Sequence, residues 1–301
     1  MFKNLIFYRI IGDWLPTLAA AEQSISAARF VECGASQEQS LGWTEPRGED
    51  HGPLIESVAG QWIMKFAVET KVLPGSVLKQ ELSNRLQKIE GETGRKPGKK
   101  ETRDIKDDVR LSLLPQAFTK KSHTLVWIDP SRKMLVLDAT SNSKADACIT
   151  AIIKSFEHAA VQLVHTQTSP AAAMSLWLSN KETPSSHFST DRDCILRACD
   201  ESKASVRYAK HALDIDEVRG HIQSGKVPTM LAMTWRDRVS FNLCDTGNLK
   251  RVTFLDTATQ DAGADSKSAA NEFDADIAIT TGALSSLIPD LIDVLGGEVK
   301  S

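Results

Sequence analysis

Leu78, Leu82, Leu86 and Ile89 recur at the spacing of one helical face, and Ile105, Val109 and Leu113 do so again before Pro115. Between the two stripes lies GETGRKPGKK, Gly91–Lys100, whose three glycines and proline break any continuous helix. The pattern predicts an αα-hairpin over residues 76–121. On either side sit QWIMKFAVE and HTLVWID, rich in the β-branched and aromatic residues that favour strands. A helical hairpin inserted between two strands is expected to stand off a β-rich body as an arm.

The rest of the chain alternates strand and helix texture. KNLIFYRII reads as a first strand and not as a signal peptide, since Arg9 breaks its apolar run. Thr17 is expected to cap a helix over Leu18–Phe30, and residues 34–60 read as a long loop. HTLVWID and KMLVLDA, separated by PSR, predict a hairpin. Ser143 with Asp146 predicts a capped helix through Ile149, Ile152, Ile153 and Phe156. AVQLVHT reads as a strand and Ser169-Pro170 as a helix start. SVRYAKH, TMLAMTW, VSFNLCD and RVTFLDT read as strands, with a helix from Asp214 and a last apolar helix over Ala283–Leu295. The stretches LVWIDPSRKMLVLDA and FNLCDTGNLKRVTFLDT resemble two versions of one hairpin. The fold class expected is α+β, with antiparallel sheets, flanking helices and a projecting helical arm. Its regions are a body (1–75 with 122–168), the arm (76–121) and a C-terminal α+β region (169–301).

Charge is distributed unevenly around a net value of -3. Residues 79–121 sum to +5 and residues 252–301 to -7, so the chain can meet a polyanion locally while staying soluble overall. Arg95, Lys96, Lys99, Lys100, Arg103 and Lys106 fall within twelve residues, and Lys120 and Lys121 follow the second helix. Lys203, Arg207 and Lys210, with His211, form a second basic set. Lysines with only 6% aromatic residues suit sequence-independent contact with phosphates better than base stacking. Taken alone, a Lys-rich loop reads as solvated surface. Five scattered cysteines suit a reducing cytoplasm, and no segment reads as a membrane span.

Catalytic signals are weak. Gly220–Lys226 has the spacing of a phosphate loop, but Val227 replaces the magnesium-binding Ser or Thr and the glycine follows a helix. Gly225 reads better as a helix C-cap. Glu69-Thr70-Lys71 at a strand end, with Asp50 upstream, offers the acid-x-Lys of a metal-dependent nuclease. The competing reading is a solvated Glu69/Lys71 pair on one exposed face. Cys194 and Cys199 lack a second ligand pair, and Asp214/Asp216 and Asp274/Asp276 read as a helix start and a turn. No cofactor or metal is expected. A third reading is a protein-docking module that uses the arm's apolar stripe and binds no DNA.

The order of several longer segments resembles the bacterial recombination-associated protein RdgC family across the whole chain. They are FKNLIFYRI (Phe2–Ile10), KVLPGSVLKQEL (Lys71–Leu82), LLPQAF (Leu113–Phe118) followed by WID, GHIQSGKVPTMLAMTWRDRVSF (Gly220–Phe241), GNLKRVTF (Gly247–Phe254), FDAD and LIDVLGGE. The resemblance implies a non-enzymatic, ring-shaped homodimer with a basic central hole. Such a ring binds duplex DNA without strong sequence preference, binds single strands more weakly, and restrains RecA-type recombinase in the cytoplasmic nucleoid. It places Phe118, at the arm's LLPQAF tip, in a subunit contact. It also places a Lys-Gln pair on the inner wall at Lys210 and His211, the second of which departs from glutamine. Lys96, Lys99, Lys100, Arg103, Lys106, Lys120, Lys121 and Arg207 join them as expected DNA contacts.

Overall fold

The computed structural model describes residues 2–180, 184–255 and 269–299. Within them the chain is α+β, with seven α-helices and twelve strands joined in a single sheet. The first strand, β1 (Leu5–Ile10), lies at its centre. Two antiparallel meanders flank it, β4 (Gln61–Val72), β5 (Phe118–Asp129) and β6 (Met134–Asp138) on one side, and β10 (Lys226–Trp235), β11 (Val239–Cys244) and β12 (Leu249–Phe254) on the other. Each meander ends with its last strand beside β1. The two look-alike hairpins, β5–β6 and β11–β12, therefore occupy mirrored positions. β2 (Gln39–Thr44) and β3 (Ile55–Val58) pair with β4, β7 (Val161–Leu163) pairs with β1, and β8 (Phe188–Ala198) carries β9 (Ser205–Tyr208) at the far edge.

Strand alternation divides the core in two. Ile6, Ile10, Met64, Phe66, Val126, Leu135 and Leu137 pack under helices α1 (Leu18–Ser26) and α4 (Asn142–Ser155). Leu5, Phe7, Ile63, Trp127 and Val136 point the other way. They join the inward residues of the second meander under α5 (Pro170–Asn180), α6 (Asp216–Gln223) and α7 (Ala269–Val294).

Residues 34–60 are not a long loop, because they contain β2 and β3. Their signals are short and interrupted by Gly42, which the fold requires: a Cβ there would meet Phe30 Cα at 2.6 Å. The chain at Ala28–Phe30 bonds to both sides of Trp43 (Trp43 N–H to Ala28 O, 2.9 Å; Phe30 N–H to Trp43 O, 2.7 Å). That pairing ends α1 at Ser26, four residues before the expected Phe30. The cap of α4 is Ser141, whose hydroxyl accepts from Lys144 N–H, and not Ser143. Asp274 and Asp276 lie inside α7, which begins well before the expected Ala283. The segment Glu272–Val294 is long and apolar enough to cross a membrane by length and composition alone, contrary to the reading above. Leu284, Leu287, Ile288 and Leu291 are nevertheless fully spent on the sheet.

The arm forms as its two stripes require. In α2 (Gly75–Thr93) Leu78, Leu82, Leu86 and Ile89 are half-buried; α3 (Lys99–Leu113) packs alongside and buries Val109. A short 3-10 turn, Leu114–Gln116, delivers the chain to β5. The arm's root is pinned by the Lys71 ammonium, which donates to Leu114 O (2.8 Å) and Ala35 O (3.0 Å), and by Arg110 with Glu38 at 2.7 Å.

Candidate nucleic-acid interface

The second meander presents one face to its helices and leaves the other uncovered. In β10, Leu231, Met233 and Trp235 are buried in the core while Met230 and Thr234 are only half-buried. In β11, Val239, Phe241 and Leu243 point inward and Ser240 and Asn242 outward. In β8, Cys194 and Leu196 point inward and Ile195 and Arg197 outward. Ladder partners share a face, so Arg207 opposite Ile195, and Lys250 opposite Asn242, project from the outward side too. Lys210 and Arg251 rim a shallow concavity of about 620 Å³ on this side, with Asp191, Asp193, Ser240 and Asn242. Among the described residues no helix packs over this face, and none of its outward side chains is aromatic.

Two carboxylates temper the positive charge. Burial pushes the Asp191 carboxyl above its ordinary value; neighbouring Asp193 adds to the effect, and a hydrogen bond from the Thr234 hydroxyl (2.9 Å) opposes it. Asp193 Oδ1 accepts the Lys210 backbone N–H at 2.6 Å. β9 ends at Tyr208, short of the expected His211, so Lys210 lies just beyond it with φ 53° and Lys203 lies before it; only Arg207 of the second basic set is on the strand. His211 bonds through Nδ1 to Ala212 O at 2.8 Å, which leaves Nε2 as its free nitrogen.

The arm supplies the other cations. Lys99, Lys100, Arg103 and Lys106 are exposed on α3 with no ion pair among the described residues, whereas Arg95 is held by Glu101 (2.9 Å) and Lys96 lies 3.9 Å from Glu90. Register separates the two lysines that follow. Lys120 shares a face with Phe118; Lys121 shares the opposite face with Glu69, pairs with Glu32 at 3.1 Å and lies 4.8 Å over the Phe30 ring. Phe118 is the first residue of β5 and so lies at the arm's root, not at its tip; it is 86% exposed, an unusual position for a phenylalanine, and its cross-strand partner Val72 is exposed as well.

The nuclease candidates are engaged in holding backbone. Glu69 is buried, and its carboxylate accepts Cys33 N–H at 2.6 Å. That bond, with the Thr119 hydroxyl and Lys121, holds the carboxyl below its ordinary value against the effect of burial. Lys71 is committed to the two carbonyls at the arm's root. The pair is thus neither solvated nor free, and Asp50 lies exposed in the loop after β2. Among the described residues no three His, Cys, Asp or Glu side chains converge as metal ligands. Gly225 has φ 89° and follows α6, as a C-cap should, and all five cysteines are unpaired. Sequence reading passed over Arg197, Lys250 and Arg251. The period-2 pattern of CILRA, with Cys194 and Leu196 inward, already turned Arg197 outward.

A family profile described as "Putative exonuclease, RdgC" matches residues 1–298. Two similar proteins are the recombination-associated protein RdgC of Dechloromonas aromatica (strain RCB), 40% identical over 99% of this chain and 98% of its own, and that of Bordetella pertussis (strain Tohama I), 42% identical over 99% of each. The chain belongs to the RdgC family.

Proposed function

We propose that the protein closes a ring-shaped homodimer around duplex DNA and limits the access of a RecA-type recombinase to it. The observation that carries this reading is the uncovered sheet face, which gathers Arg197, Arg207, Lys210, Lys250 and Arg251 while the reverse side of the same strands is core. Cations spread over a face without aromatic platforms recognise phosphates rather than bases, so duplex is preferred to single strand and sequence is not read. In a twofold dimer every such patch occurs twice, and Phe118, where the arm returns to β5, supplies a self-complementary contact that closes the ring. The arm lysines extend the positive lining, and the protein accordingly resides with the nucleoid.

The test is the affinity for a short labelled duplex across a salt series with magnesium present, the DNA being run on a gel afterwards. Binding that weakens linearly in log-log form, with slope about 0.9 per phosphate neutralised, over intact DNA supports the reading. Shortened DNA would instead favour the exonuclease of the family description, and absence of binding at low salt would favour a protein-docking role for the arm.

A further inference from the structure

We infer that Asp193, one of two acidic residues on a largely basic wall, is the positioning residue for the Lys210 contact; this rests on the DNA-binding reading above. The β8–β9 ladder runs regularly through Arg197↔Ser205, Ile195↔Arg207 and Cys194↔Tyr208. Continued regularly, it would set Lys210 opposite Arg192. Instead His211 N–H donates to Arg192 O at 3.0 Å, so the chain carries one extra residue, and that residue is Lys210. Two things follow from the bulge. The Lys210 N–H loses its place in the ladder, and its backbone enters the left-handed region, at φ 53°, which is uncommon for a residue with a side chain. Asp193 meets both needs, because its Oδ1 takes the displaced N–H at 2.6 Å. Asp193 and Lys210 line the same concavity, so the bond fixes the root of the lysine side chain at the uncovered face.

A negative charge beside a phosphate-binding lysine should by itself oppose DNA. Charge and positioning therefore predict opposite results for one substitution. Removing the carboxylate by Asp193→Ala relieves repulsion but frees the bulge; Asp193→Asn relieves the same repulsion and keeps an oxygen to accept the N–H. If Asp193 positions Lys210, Asp193→Ala binds a short duplex about 5-fold more weakly than the wild type at fixed salt. Its salt slope falls by about 0.9, one phosphate contact, while Asp193→Asn binds as tightly as the wild type or tighter. In a Lys210→Ala background, Asp193→Ala then adds no further loss. Thermal melting of each variant confirms that the compared proteins are folded. Equal tightening by Asp193→Ala and Asp193→Asn would overturn the inference, leaving Asp193 a simple opposing charge. Loss on Lys210→Ala but not on Asp193→Ala would overturn it too, while leaving the DNA-binding reading intact. Wild-type protein that fails to bind duplex at low salt would instead remove that reading, and the inference with it.

Discussion

The two meanders have the same topology and opposite treatment of their outward faces. In β4–β5–β6, the alternate residues Met64, Val126 and Leu135 are as buried as those facing the other way, because α1 and α4 close that side. In β10–β11–β12 the corresponding side has no helix among the described residues, and Thr234, Ser240, Asn242, Lys250 and Arg251 share it with Met230 and Ala232. The difference teaches what a bare sheet face needs. It stays soluble by being largely polar, and where cations outnumber carboxylates, as here, it suits a polyanion.

The sharpest way to break the comparison is to place a lysine on each outward face. Leu135→Lys leaves an unpaired charge in a closed core and should cost more than about 4 kcal/mol, read as loss of cooperative unfolding at ordinary temperature. Ser240→Lys adds its charge to the uncovered face, should change stability by no more than about 0.5 kcal/mol, and should steepen the salt dependence of duplex binding. Next in size is Phe118→Ala. An 86% exposed ring contributes nothing to the monomer core, so melting is unchanged while the dimer weakens in sedimentation and DNA is held less firmly. A variant that stayed fully dimeric and bound normally would end the ring-closure idea.

The smallest expected effect concerns pH. The Asp191 carboxyl is raised in the folded state, so the fold favours its protonated form. Stability from this group is fully present below the carboxyl's unfolded value and is lost as pH rises from there through the folded value. Asp191→Asn should therefore raise the melting temperature at pH 7 and give a diminishing gain toward pH 4. An equal gain at both values would show that charge is not the cause.

What the sequence disclosed depended on how local the cause was. The arm was legible because Leu78 to Ile89 carry a helical period that no strand could use, and the β5–β6 hairpin because its strands are long and continuous. β2 and β3 were not, since their strand character comes from pairing with β4 and Gly42 masks it. The basic set at Lys120 and Lys121 was visible, but only register assigns the two to opposite faces. The bulge at Lys210 left no local trace at all, because the carboxylate that accepts its N–H, Asp193, lies on a neighbouring strand seventeen residues away.

The arm's thin packing has a consequence for how the chain opens. No residue of α2 is fully buried, and α3 buries only Val109. Amide hydrogens of the arm should thus exchange with solvent through local unfolding of the hairpin alone, while those of β4, β5 and β6 wait for the whole sheet to come apart. Phe118 itself is the first residue of β5, so in the proposed ring the contact residue sits where the yielding hairpin joins the lasting sheet. Loosening of the two helices would then leave the strand that carries Phe118 in place.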